Sequence, residues 1–106
     1  MAHSSDTAKA ALALKISGHV HGVGYRYWAV ITARRIGLTG WVRNVTDGSV
    51  DAVVQGAPKL VEAFVDECWG GPPEARVTSI AVNVVDLLTE ITSFEQRATY
   101  VSPVQF

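Results

Sequence analysis

The fold of this chain is decided by residues 11–37, whose sequence is ALALKISGHVHGVGYRYWAVITARRIG. Apolar side chains alternate over residues 11–17, a pattern that predicts a strand with one apolar face. Small and apolar side chains then recur at helical spacing, which predicts a helix over residues 25–36 that ends at Gly37. A glycine-bearing loop, residues 18–24, joins the strand to the start of this helix.

The remaining chain repeats the arrangement of strand and helix. We predict strands over residues 38–44, 49–55, 76–85 and 94–99, a turn over 46–48 and a second helix from Pro58. Each half is a split β-α-β unit, so we expect an α+β fold, a ferredoxin-like α/β sandwich (βαββαβ). Its antiparallel sheet would carry both helices on one face.

We expect one domain over residues 10–100, between a disordered N-terminal tail, residues 1–9, and a C-terminal tail, residues 101–106.

The charge of the chain is nearly balanced. It has nine Lys and Arg and ten Asp and Glu, so it lacks the basic excess that is typical of proteins that bind nucleic acids or anionic membranes. The single cysteine, Cys68, excludes an intramolecular disulfide. With no secretory or membrane-spanning pattern, we expect a cytoplasmic monomer with no nucleic-acid or membrane partner.

The loop before the first helix has the composition of an anion site. Gly22 and Gly24 can adopt backbone angles that turn neighbouring amides inward, and a helix N-terminus adds unpaired amides and partial positive charge. Arg26 follows in the first turn, where its guanidinium can bind phosphate through two N–H groups. Spacing alone also fits a tight turn with a surface arginine. A Walker loop is excluded because no lysine follows, and a dinucleotide loop because Tyr27 replaces its third glycine.

Three other sets of residues are candidates for chemical roles. Cys68 lacks the arginine that cysteine phosphatases have six positions later, where this chain has Glu74, and it lies on the apolar stripe of the second helix. We therefore expect a buried structural thiol. His19 and His21 lack a third metal ligand, so we expect exposed loop histidines and no metal site. Asp47 precedes Gly48 in a turn, which indicates turn chemistry rather than acid–base catalysis.

Two segments resemble the signatures of the acylphosphatase family. Residues 18–26, GHVHGVGYR, are similar to its first signature, and residues 37–44, GLTGWVRN, with 47–50, DGSV, are similar to its second. The resemblance continues through residues 70–77 and covers about residues 11–99 of the chain. Two signatures in the right order are more specific than either alone.

The resemblance implies a substrate and roles for residues. The substrate would be an acyl phosphate, hydrolysed to a carboxylate and inorganic phosphate without a metal or other cofactor. Arg26 would bind the phosphoryl oxygens, and Asn44 would hold and orient the attacking water. The backbone amides that complete the phosphate site would be those of His21, Gly22, Val23, Gly24, Tyr25 and Arg26.

The chain departs from the family pattern at two positions. His21 stands where the family usually has Gln, and Val45 stands where a Thr or Ser often follows the Asn. Two alternatives to the enzyme are a ligand- or RNA-binding module on the same fold and an inactive anion-binding regulator. The first and third predicted strands offer no aromatic rings for base stacking, which disfavours RNA binding.

Overall fold

A computed structural model of the chain describes residues 8–103. Most of the predicted N-terminal tail (1–9) and half of the predicted C-terminal tail (101–106) therefore lie outside the described residues. In chain order the elements are β1 (Ala10–His19), α1 (Tyr25–Ile36), β2 (Thr39–Asn44), β3 (Val50–Gly56), α2 (Pro58–Cys68), β4 (Arg76–Val84) and β5 (Phe94–Gln96).

One five-stranded sheet holds all the strands, in the order β4-β1-β3-β2-β5. The first four strands pair antiparallel, as predicted for a ferredoxin-like α/β sandwich. The short β5 pairs parallel with β2, so the complete sheet is mixed. The fifth strand ends at Gln96 and is therefore shorter than predicted. Beyond it the chain makes an isolated bridge between Val45 and Tyr100, and the amides of Arg97 and Tyr100 donate to carbonyl oxygens at the end of β2.

Both helices cover the same face of the sheet and enclose the core. The buried residues of α1 are Tyr25, Ala29, Thr32 and Ala33, all on the stripe that helical spacing predicts. The helix ends where expected, because the amide of Gly37 donates to the carbonyl oxygens of Ala33 and Arg34. Buried side chains from both helices and four strands form one continuous core.

Three apolar residues that follow the helix or strand periodicity of the sequence are exposed. Leu60 on α2 is 42 % exposed, and Val82 and Val84 on β4 are 45 % and 85 % exposed. The two valines share one face of β4, but β4 is an edge strand and the helices pack mainly on the other strands. Alternation identifies a shared face of a strand and does not reveal whether anything covers it. Within residues 8–103, no helix is long and apolar enough to cross a membrane.

Candidate active site

A cleft of about 240 Å³ lies between the loop before α1 and the end of β2. It is lined by Val20, Gly22, Gly24, Tyr25, Arg26, Tyr27, Asn44 and Gln96. The fold therefore brings Arg26 and Asn44, predicted from separate sequence signatures, to one cleft. The other two residues of the predicted phosphate site, His21 and Val23, are half-buried in the same loop but do not line the cleft.

The loop presents amides that have no acceptor. Gly22 has a φ of 71° and Gly24 a φ of 80°, in the left-handed region that favours glycine. A Cβ at either position would meet nothing within 4 Å, so backbone conformation alone calls for glycine there. Within the described chain, the amides of residues 21–26 donate no hydrogen bond, and no side chain caps the helix at Gly24. These donors are available to an anion.

Arg26 is the cation of the cleft. It occupies the second position of α1 and its side chain is half-buried. Among residues 8–103 it forms neither an ion pair nor a hydrogen bond, whereas Arg35, Arg43 and Arg97 each pair with a carboxylate. A guanidinium without a protein anion beside it can bind two oxygens of a phosphoryl group.

Asn44 faces the loop from the last position of β2. Val42, two residues earlier on the same strand, is fully buried under the helices, so Asn44 projects from the same face. The Oδ1 of Asn44 is buried and has no hydrogen-bond partner among the described residues. An unpaired buried acceptor is costly, and a bound water that donates to it removes that cost.

Gln96 is a cleft residue that the sequence analysis did not identify. It ends β5 and pairs in register with Val42, which places it beside Asn44 at the same end of the sheet. The parallel pairing of β5 with β2 joins residues far apart in sequence, so no local pattern could have indicated this neighbour. The one available signal was the amide side chain two residues after the core residue Phe94.

His21 differs from its prediction as an exposed loop histidine. Its ring Nε2 lies 2.7 Å from the carbonyl oxygen of Ser49, and the residue is half-buried. The loop therefore contacts the hairpin that connects β2 to β3. His19 is exposed, as predicted. Among residues 8–103, no group of three or more His, Cys, Asp or Glu side chains could hold a metal ion.

Tyr25 connects the cleft to the second helix. Its ring is 2 % exposed, and its hydroxyl donates to the carbonyl oxygen of Cys68 at 2.5 Å. Burial is the main reason that the pKa of Tyr25 is raised above its ordinary value. Burial likewise raises the pKa of Cys68 to about 12, so its thiol stays protonated. The prediction of a buried structural thiol is confirmed.

The carboxylates near the hairpin serve the turn and the sheet. Asp47 Oδ1 accepts from the amide and the hydroxyl of Ser49, and its Oδ2 accepts from Lys15. These bonds, with Lys15 first, lower the pKa of Asp47 well below its usual range. Asp51 lies 3.6 Å from Arg43 across the sheet. Neither carboxylate lines the cleft, which agrees with the prediction of turn chemistry at Asp47.

Comparisons with known proteins agree with one another. The family model described as Acylphosphatase matches residues 12–96. An acylphosphatase of Rhodospirillum rubrum is 51 % identical over 74 residues, which cover 70 % of this chain and 81 % of that protein.

Solved structures extend the likeness to the fold. An acylphosphatase from Coxiella burnetii superimposes with a TM-score of 0.80 at 27 % identity, covering 86 % of this chain and 95 % of that one. An acylphosphatase from Bacillus subtilis superimposes with a TM-score of 0.79 at 31 % identity, covering 83 % and 98 %. On sequence and structure alike, the chain belongs to the acylphosphatase family.

Proposed function

We propose that this chain hydrolyses acyl phosphates in the cleft between the α1 loop and the end of β2. The amides of residues 21–26 and the guanidinium of Arg26 bind the phosphoryl group, and Asn44 orients the attacking water. The observation that carries the proposal is that three groups without a partner among residues 8–103 meet in one cleft. They are the loop amides, the guanidinium of Arg26 and the buried Oδ1 of Asn44.

The phosphoryl group is held by charge and by directed donors. The N-terminus of α1 carries partial positive charge, and the amides before it donate to no carbonyl among residues 8–103. Arg26 adds a full positive charge close to these amides. As the phosphorus is attacked, negative charge on its oxygens is stabilised by donors that are already in place.

Asn44 suits the positioning of water better than proton abstraction. Its Oδ1 accepts a hydrogen bond from the water, but a carboxamide is a very weak base. The water oxygen forms a bond to phosphorus, and the bond from phosphorus to the acyl oxygen breaks. The carboxylate leaves with the electron pair, and the proton of the water passes to a phosphate oxygen. Because a carboxylate is a good leaving group, positioning and charge neutralisation suffice for catalysis.

We further propose that the enzyme needs no metal, is a monomer and acts in the cytoplasm. The two tasks that a metal performs in phosphoryl transfer are charge neutralisation and orientation of the oxygens, and Arg26 with the loop amides can perform both. A single buried thiol suits a reducing compartment. Size-exclusion chromatography tests the monomer, for which the expected mass is 11.4 kDa.

The experiment that tests this function is a hydrolysis assay with benzoyl phosphate in the presence of excess chelator. We expect steady turnover that chelation does not reduce, with competitive inhibition by inorganic phosphate. Loss of turnover on chelation would refute metal independence. Phosphate binding without hydrolysis would instead indicate an anion-binding regulator. The absence of both binding and hydrolysis would refute the whole proposal.

A further inference from the structure

We propose that His21 is a positioning residue for the reaction. By this inference its ring ties the phosphate loop to the β2–β3 hairpin, which begins immediately after Asn44, and so sets the distance between the bound phosphoryl group and the water. The inference rests on the proposed function, because it assigns to His21 a role in aligning Arg26 and the loop amides with Asn44.

The first step is the bond between the ring and the hairpin. The Nε2 of His21 lies 2.7 Å from the carbonyl oxygen of Ser49. A carbonyl oxygen can only accept, so Nε2 must carry the proton and donate. Ser49 is 4 % exposed, so little water competes for this bond.

The second step is the position of the acceptor. The same carbonyl oxygen of Ser49 accepts from the amide of Val45, at 2.9 Å. Val45 directly follows Asn44 and is itself buried. One oxygen atom therefore joins the phosphate loop to the residue next to the proposed water holder.

The third step is the rigidity of the hairpin. The amide and the hydroxyl of Ser49 donate to Asp47 Oδ1, at 2.9 Å and 2.6 Å. The Nζ of Lys15 donates to the hydroxyl of Ser49 at 2.9 Å and to Asp47 Oδ2 at 2.8 Å. Lys15 lies on β1, the strand that leads into the loop, so the hairpin is anchored to the same strand from which the loop starts.

The fourth step is the lack of backbone hydrogen bonds in the loop among the described residues. Within residues 8–103, no backbone hydrogen bond is made by residues 20–23. The loop needs its amides free to bind an anion, so they cannot also fix its position relative to the hairpin. A side-chain bond outside the cleft fixes that position and leaves the amides available.

This role also accounts for the residue type at position 21. The acylphosphatase signature usually has Gln there, and the side-chain amide of Gln can donate to a carbonyl at a similar reach. His and Gln share a donor nitrogen several bonds from the backbone, whereas Ala has none. The replacement of Gln by His therefore keeps a side-chain hydrogen-bond donor for the carbonyl oxygen of Ser49.

The test compares His21→Ala, His21→Gln and the control His19→Ala in the benzoyl phosphate assay. His19 is an exposed histidine that lies two residues earlier, and its side chain makes no hydrogen bond among the described residues, so H19A should behave as the wild type. We expect H21A to lower kcat about tenfold while the inhibition constant of inorganic phosphate changes by less than about threefold. H21Q should restore kcat to within about threefold of the wild type.

A double variant separates positioning from general loosening of the fold. If His21 acts through Asn44, adding H21A to Asn44→Ala should lower kcat by less than about twofold further. Fully multiplicative effects would overturn the proposal, as would an unchanged kcat in H21A or no rescue by H21Q. If H21A does not fold, the shorter His21→Asn replaces it with the same expectation. Absence of hydrolysis by the wild type is a separate outcome, which would refute the proposed function and this role of His21 together.

Discussion

The chain contains two connections from a strand to a helix, and they differ in length and in backbone conformation. The first, residues 20–24, leads into α1 with Gly22 and Gly24 in left-handed conformations and its amides unpaired within the described chain. The second leads into α2 through Ala57, whose φ is −58°. The carbonyl of Ala57 accepts from Leu60 and Val61, as the carbonyl of Gly24 accepts from Trp28, and Pro58 has no N–H to donate.

The difference shows that a helix N-terminus alone does not make an anion site. Neither helix has a side-chain cap or an acidic residue in its first turn, so both carry the same partial positive charge. Only the first combines that charge with a loop, residues 20–24, that holds two left-handed glycines, and with Arg26 in the first turn of the helix. Lys59 is the residue at the equivalent second position of α2, and it is exposed to solvent.

Replacement of the two equivalent cations should give the largest contrast. Arg26→Ala removes up to two charge-assisted hydrogen bonds to the phosphoryl group, so kcat/KM for benzoyl phosphate should fall about a hundredfold or more. Lys59→Ala should leave it unchanged. The same assay measures both, and near-normal efficiency in R26A would remove arginine from the proposed mechanism.

Asn44→Ala should separate water positioning from phosphate binding. The variant keeps the loop and Arg26, so inorganic phosphate should inhibit with an affinity within about threefold of the wild type. Loss of the acceptor for water should lower kcat by about ten- to a hundredfold. If phosphate affinity fell as much as kcat, Asn44 would be a ligand of the phosphoryl group instead.

Glycine substitution should distinguish the two connections by backbone conformation. Gly24→Ala forces a side chain into the left-handed region at a cost of about 1–2 kcal/mol, although a Cβ there meets no atom within 4 Å. We expect about a tenfold loss of phosphate affinity and a lower free energy of unfolding, measured by calorimetry and urea titration. Ala57→Gly, at the matching position before α2, should cost less than about 1 kcal/mol and leave phosphate affinity intact. Equal losses in both variants would mean that the loop conformation is unimportant for binding.

The smallest effect on catalysis is expected at the C-terminal end of α2, where the carbonyl of Cys68 accepts a hydrogen bond from Tyr25, the first residue of α1. There the expected effect is on stability. Burial raises the pKa of Cys68 from 9.0 to about 12, so the folded chain keeps a proton that the unfolded chain loses in this range. The free energy of unfolding should therefore fall as the pH rises from 9 to 12. In Cys68→Ala this slope should be shallower, as urea unfolding at several pH values would measure. An identical slope in both proteins would assign the effect to other groups.

Sequence reasoning succeeded where local patterns decide the structure. The bounds of α1 were predicted as Tyr25–Ile36, because helical spacing and Gly37 act within a few residues. It could not reach features that strand order decides: Val82 and Val84 share an apolar face in the sequence, yet both are exposed because β4 lies at the edge of the sheet. The contacts of His21 and Gln96 likewise depend on which strands become neighbours, which no local pattern encodes.

The most direct test of the central claim is a titration of the ¹⁵N-labelled chain with inorganic phosphate, followed by amide chemical shifts. We predict saturable shifts at the amides of residues 21–26 and at the side chains of Arg26 and Asn44, with Leu60 and Val61 at the start of α2 unmoved. Shifts centred on the start of α2, or no saturable shifts in the loop, would contradict the account.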